Sequence, residues 1–212
     1  MNAARLIAVV GAITGVAALI LQFGLMYTSM TAQGVSGGAV AWRYLGYFTI
    51  LTNIFVAAIW IRALLRPGMP MPRLEAAGAV SIVMVGIIYH ALLASRWNPQ
   101  GLEWVADFTH HTLVPILFAL YWLLRPHGQL KWIDAFALVI SPLAYCPYAL
   151  TRGAFDGWYA YFFLDPRHMS VTQLATSIAG LSAVFLVCAL LLIAVDKVLA
   201  KRATALSAPS AA

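Results

Sequence analysis

Six stretches of about twenty mostly apolar residues, close to the length that crosses a hydrocarbon core, take up nearly all of this chain. They run over roughly 6–27, 42–64, 76–95, 105–124, 133–151 and 171–195. Short breaker clusters separate them, among them Arg66-Pro67-Gly68-Met69-Pro70, Trp97-Asn98-Pro99-Gln100-Gly101 and Arg125-Pro126-His127-Gly128. Such clusters end helices because Pro lacks the amide donor and Gly tolerates positive φ. Composition agrees: 63% of residues are hydrophobic and 9% charged, against roughly 25% charged in a soluble domain. Mean hydropathy is +0.86. The expected fold is all-α and integral to a membrane, a bundle of six transmembrane helices over residues 1–202 with a short disordered tail at 203–212. The first apolar run is longer than the roughly 7–15 residues of a secretory signal core, so it is expected to stay as a span.

Lys and Arg placement orients the bundle. Arg5, Arg62, Arg66, Arg73, Arg125, Lys131, Lys197, Lys201 and Arg202 fall on the side of the termini; Arg43, Arg96, Arg152 and Arg167 fall on the other. The positive-inside rule puts both termini in the cytoplasm, in a plasma membrane of bacterial inner-membrane type. The net charge of +6 is then a topology signal. No basic groove with interleaved aromatics suggests nucleic acid as a partner; the expected partner is a membrane lipid or fatty acid ester, with oligomeric state left open.

Against this apolar background, His110-His111 in the fourth stretch is costly to place, and an ionisable residue at membrane depth is a functional-site hypothesis by default. At the 1.5 Å helical rise, Thr49 lies about 10 Å from the outer end of the second stretch. His90, His110 and His111 come out at about 8–9 Å on the same scale. Tyr145, Cys146 and Tyr148 of the fifth stretch, and Thr172, Thr176 and Ser177 of the sixth, share that level. The inner halves of the stretches are nearly pure hydrocarbon. Adhesive hydrogen bonds between helices need no particular depth, so the clustering points to a pocket in the outer leaflet, under an aromatic segment at 155–163 that includes Trp158 and Tyr161. Interfacial belts are built from the same residue types.

Thr49 alone is most simply a hydroxyl bonded back to its own helix. Beside a base within about 3 Å it becomes a nucleophile, and His110 or His111 lies at matching depth. Asp107 precedes them by three and four residues, on one helix surface, where a carboxylate can fix an imidazole tautomer as in a hydrolytic triad. Adjacent helical positions differ by about 100°, so only one histidine can fully face a given pocket. Asn53, four residues after Thr49, and Thr52 are candidates to hold an oxyanion; His90, Tyr145, Trp158 and Tyr161 are candidates to line the substrate site. A zinc site from Asp107, His90 and His110 or His111 is the rival, but no HxxxH or HExxH motif supports it; no metal or other cofactor is expected. Cys146 and Cys188 read as apolar packing. A transporter is disfavoured by the lack of an inverted repeat, which leaves a lipid-binding scaffold as the non-enzymatic alternative. Pro115, one turn past the His pair, is expected to kink the fourth helix and widen the pocket.

The same residues carry a family likeness. Tyr47-Phe48-Thr49-Ile50-Leu51-Thr52-Asn53 resembles the YFTxxSN signature of bacterial Pr6Pr-type six-span membrane proteins. His111-Thr112-Leu113-Val114-Pro115 with Trp122-Leu123-Leu124 resembles their HxxxP…WLL span. Pro142 through Tyr148, Arg152-Gly153 and the run from Gly157 to Asp165 resemble their P…Y…RG…GWYPYPFLD ending, with Ala160 and Phe162 at the positions of its prolines. That family is similar to the androgen-induced and androgen-dependent membrane proteins of animals, six-span threonine hydrolases of fatty acid esters of hydroxy fatty acids. The resemblance implies a Thr nucleophile at Thr49 and a His base, His111 by the bacterial spacing or His110 by the animal one.

Overall fold

The computed structural model describes residues 2–207. It is helical throughout, with no strand among the described residues. α1 (Ala3–Thr31) starts on Asn2, whose side chain accepts a hydrogen bond from the Arg5 amide. A short α2 (Gly37–Leu45) is capped by Ser36 and stops at Gly46. α3 (Phe48–Leu65) then begins afresh. α4 (Pro72–Ile88) opens on proline and runs through a wide π turn at Tyr89–Leu93. α5 (Leu102–Phe108), a second π turn at Thr109–Leu113 and α6 (Val114–Leu123) form one continuous helical segment. α7 (Asp134–Leu138) leads into α8 (Ile140–Asp156), and α9 (Val171–Ser207) closes the bundle.

Five helical runs are long and apolar enough to cross a membrane: Ala3–Thr31, Phe48–Leu65, Pro72–Arg96, Asp134–Asp156 and Val171–Ala205. This is a multi-pass integral membrane protein. The expected fourth stretch, helical over 102–123, is not among the five; it carries Glu103, Asp107, His110 and His111, the polar residues that make it interesting. Two boundaries also differ from expectation. The second stretch is not one helix from 42 to 64, because the chain breaks at Gly46-Tyr47 and places Thr49 in the first turn of α3. Helix α9 continues through Ser207, into the segment expected as tail, and residues 208–212 lie outside the described residues.

Packing rather than water exclusion must hold such a bundle together, since lipid is as apolar as leucine. Small residues on α1 and α4 provide the notches. A Cβ on Gly11 would sit 2.5 Å from the Trp60 ring, and one on Gly78 2.8 Å from Ile59 and 2.9 Å from Phe118. Trp60 fills the gap with its ring 5.0 Å from Phe118 and 6.4 Å from Tyr121. The carboxylates at this end of the bundle have partners. Arg125 grips Glu75 through two bonds of 2.9 and 3.0 Å. Asp196 accepts from the amides of Gly128 and Leu130, with His127 at 3.2 Å. The polar site lies at the opposite end.

Candidate active site

One face of α8 sets the position of Thr49. Tyr145, Tyr148 and Arg152 recur at helical spacing and reach the last carbonyls of α2, which have no partner inside their own helix. Tyr145 Oη donates to Gly46 O at 2.8 Å and Tyr148 Oη to Leu45 O at 3.0 Å. The Arg152 guanidinium donates to Trp42 O and lies 3.6 Å from the centroid of the Trp42 ring. On the other side Trp158 lies flat against Gly46, where a Cβ would come within 2.7 Å of its ring. The break between α2 and α3 is therefore clamped, and α3 starts with Thr49 facing the bundle.

Two π turns bring the remaining groups to it. The Val114 amide bonds back five residues to Thr109, and the Ala94 amide to Tyr89. Such bulges are frequent at functional sites. Pro115 cannot donate to the His111 carbonyl, and that carbonyl lies against Gly86, where a Cβ would be 3.0 Å from it. This close approach stacks His111 on Tyr89, with ring centroids 3.8 Å apart and planes 11° from parallel.

The result is a chain of polar contacts across three helices and a loop. Thr49 Oγ1 lies 3.4 Å from His111 Nε2. His111 Nδ1 faces the Asp107 carbonyl oxygen at 3.0 Å, with the Asp107 carboxylate 3.1 Å away. Both are acceptors, so Nδ1 holds the ring proton and Nε2 turns its lone pair toward Thr49. Asp107 Oδ2 in turn accepts a 2.5 Å bond from Tyr89 Oη, which accepts from Trp97 Nε1 at 3.3 Å. From above, Tyr161 places its hydroxyl 3.4 Å from Thr49 Oγ1 and 3.3 Å from the Thr49 amide nitrogen, whose N–H it accepts. Burial pushes the Tyr161 phenol up from its ordinary value, so it stays a neutral O–H donor.

Thr49 stands between two cavities. One is an open cleft of about 520 Å³ that includes His111, His110, Asp107 and Tyr161, walled by Met26 and Met30 of α1 and rimmed by Arg43 and Arg96. The other is a narrow apolar cavity of about 50 Å³ behind Thr49 and Tyr161, lined by Tyr145, Cys146, Phe163 and Phe185.

Of the expected residues, Thr49, His111, Asp107 and Tyr161 are brought together. Several expected partners are not. His110 is buried on the adjacent helical bearing, facing α1 near Ala18 rather than Thr49. His90 is exposed and pairs with Thr112 Oγ1 at 3.0 Å. Asn53 turns its amide back to Thr49 O at 2.8 Å, the i−4 bond open to a polar side chain inside a helix. Thr52 lines a separate groove between α3 and α8. Neither is placed to hold an oxyanion. Tyr145 and Trp158 brace the α2–α3 break instead of opening on the cleft, and Thr176 of α9 bonds its own helix. Among the described residues no three His, Cys, Asp or Glu side chains gather as a metal site; His90, turned away, breaks the set imagined for zinc. Tyr89, Trp97 and Arg96 also line the cleft, although the sequence assigned Arg96 only to topology and Trp97 only to a helix break and gave Tyr89 no role. Only the shared level of Tyr89 with His90 could have signalled it.

Comparison with family models, with curated proteins and with solved structures finds no match to this chain.

Proposed function

We propose that this protein is an intramembrane lipid ester hydrolase that uses Thr49 as nucleophile and His111 as general base. The observation that carries the reading is the orientation of His111. Its Nδ1 proton is held by Asp107 and its free Nε2 faces the Thr49 hydroxyl at 3.4 Å. Catalytic pairs are commonly this loose before substrate binds. In the proposed reaction Thr49 Oγ1 attacks the ester carbonyl carbon while its proton passes to Nε2. The oxyanion is met by the Tyr161 O–H and by the Thr49 N–H, which exchanges Tyr161 Oη for it, at the positive end of the α3 dipole. The imidazolium returns its proton to the departing alcohol. Water, activated by the same nitrogen, then releases the acid from the threonyl ester.

The wider setting belongs to the same proposal. Residues 102–123 form a further span, fourth along the chain, that brings the five to six; both termini face the cytoplasm of a bacterial cell, and the site opens in the outer leaflet; the charge asymmetry along the chain supports this arrangement. Membership in the Pr6Pr-type family rests on the motifs around Thr49, His111 and Arg152. Reporter fusions at Arg66, Gly101 and the C-terminus test the topology, and a periplasmic signal from the last refutes it. The chemistry is tested by labelling with a fluorophosphonate probe followed by peptide mapping. Modification at Thr49 that is lost in His111→Ala and kept in His110→Ala is the expected result. Labelling or ester hydrolysis that survives in Thr49→Ala ends the hydrolase reading in favour of a lipid-binding scaffold.

A further inference from the structure

Arg43 and Arg96 rim the cleft that contains Thr49 and His111, and each is seated on an aromatic ring of the same loop. The Arg43 guanidinium lies 4.1 Å from the Trp158 centroid, and that of Arg96 lies 3.8 Å from Phe162. Tyr161, whose phenol touches Thr49, comes between those two rings in the chain. The loop that covers the nucleophile therefore holds one fixed cation on each flank.

Among the described residues neither guanidinium makes a carboxylate ion pair. Of the carboxylates at this end of the bundle, Asp107 lies 3.1 Å from His111 Nδ1, and Asp165 pairs with Arg167 and lies 3.9 Å from His168. Asp156, an electrostatic neighbour of Arg43, has its oxygens engaged by the Trp42 indole N–H at 2.8 Å and the Trp158 amide at 2.9 Å. Glu103 also lines the cleft and makes no ion pair among the described residues. Of the Arg96 guanidinium, only Nε–H is bonded, to Leu92 O at 3.2 Å. Unpaired guanidiniums held against aromatic faces keep their planar donor forks available, the geometry that suits phosphate oxygens. On the α1 side the cleft is lined by Leu25, Met26 and Met30 beside the polar Gln22 and Ser29, and methionines make a surface that adapts to acyl chains.

We propose that the substrate is a phospholipid ester, with Arg43 and Arg96 gripping the headgroup phosphate while an ester carbonyl sits at Thr49 Oγ1. This rests on the hydrolase reading. The acyl group passes to Thr49, the lyso-phospholipid or glycerophosphodiester alcohol leaves with the proton from His111, and water releases the fatty acid.

The test uses the purified full chain in neutral detergent, with lysophosphatidylglycerol and monoacylglycerol of one acyl chain. The expected kcat/KM favours the phosphate lipid by about tenfold or more, chiefly through KM. Arg43→Gln and Arg96→Gln shrink that ratio toward one, and Arg43→Lys, which keeps the charge, retains most of it. Binding of lysophosphatidylglycerol, read by tryptophan fluorescence, persists in Thr49→Ala and is weakened in both Gln variants. Phosphate-dependent binding with no ester cleaved keeps the headgroup site and removes the hydrolase. Hydrolysis with a ratio near one, or a ratio unmoved in both Gln variants, removes the headgroup site and leaves the hydrolase. Competition by inorganic phosphate as strong as by the lipid also overturns the proposal, because the site then reads a free anion.

Discussion

Asp107→Asn separates two ways a carboxylate can serve a histidine. In a triad where the carboxylate alone fixes the imidazole tautomer, the amide substitution costs about 10⁴-fold in kcat. Here the Asp107 carbonyl oxygen, 3.0 Å from His111 Nδ1, holds the ring proton, and the substitution leaves that oxygen in place. What is lost is the carboxylate's attraction for the imidazolium formed during attack. With charge centres about 4 Å apart and an effective dielectric of about 20, that attraction is about 4 kcal/mol. It corresponds to roughly 10³-fold in rate, and the Tyr89 bond to Oδ2 draws off part of the negative charge. Asp107→Asn is therefore expected to lower kcat by 10²- to 10³-fold, with KM nearly unchanged. Initial-rate hydrolysis of a fluorogenic ester gives both values. Because the pair acts as a unit, adding the same substitution to His111→Ala should lower the rate no further. A loss under about tenfold, or full additivity with His111→Ala, refutes the assignment of Asp107.

Tyr161→Phe removes the O–H aimed at the developing oxyanion and should reduce kcat by about 10²-fold at similar KM; an unchanged kcat places the oxyanion elsewhere. Gly86→Ala puts a methyl 3.0 Å from the His111 carbonyl and 3.4 Å from Pro115 Cβ, pushing His111 off Thr49. Activity should fall by about tenfold or more for a small shift of the base, whereas the same substitution at Gly24, where a Cβ meets nothing within 4 Å, should leave the rate unaltered. The Arg167 guanidinium beside Asp165 holds that carboxyl below the usual carboxylate range. Its contribution to anchoring the 157–170 loop is thus full above about pH 4, the unfolded value, and is lost as pH falls through the lower folded value. Limited proteolysis in that loop should rise below about pH 4 in the wild type and be already high at neutral pH in Asp165→Asn.

The parts of the site that were legible in the sequence are those whose signal is local. Asp107 and His111 share a helical face by spacing alone, and Thr49 stood out because it lies at the depth of the histidines. Contacts between elements were not legible. Hydropathy runs unbroken through Leu45-Gly46-Tyr47-Phe48, so nothing in periodicity announced that a helix ends and another begins there. The break matters, since it turns Thr49 from a mid-helix residue into one in the first turn of a helix, where its N–H donates to Tyr161 Oη rather than to its own helix. The choice between His110 and His111 needed the π turn and the Gly86 notch, which set the bearing of residue 111. Tyr145 and Tyr148 looked like pocket residues because polar side chains at that depth need a reason, while Arg152 read as an outer-side charge. The reason is the set of carbonyls left over at the end of α2, which a hydrocarbon surrounding would leave unsatisfied at a cost of several kcal/mol each. A break in a membrane helix must be bonded by its neighbours. The α8 face that resembled part of a family signature thus fixes the position of Thr49, and Arg152→Gln should lower thermal stability in detergent by about 2 kcal/mol while also reducing Thr49 labelling. A variant that loses stability but labels at the wild-type rate when folded would separate the clamp from the site and break this link.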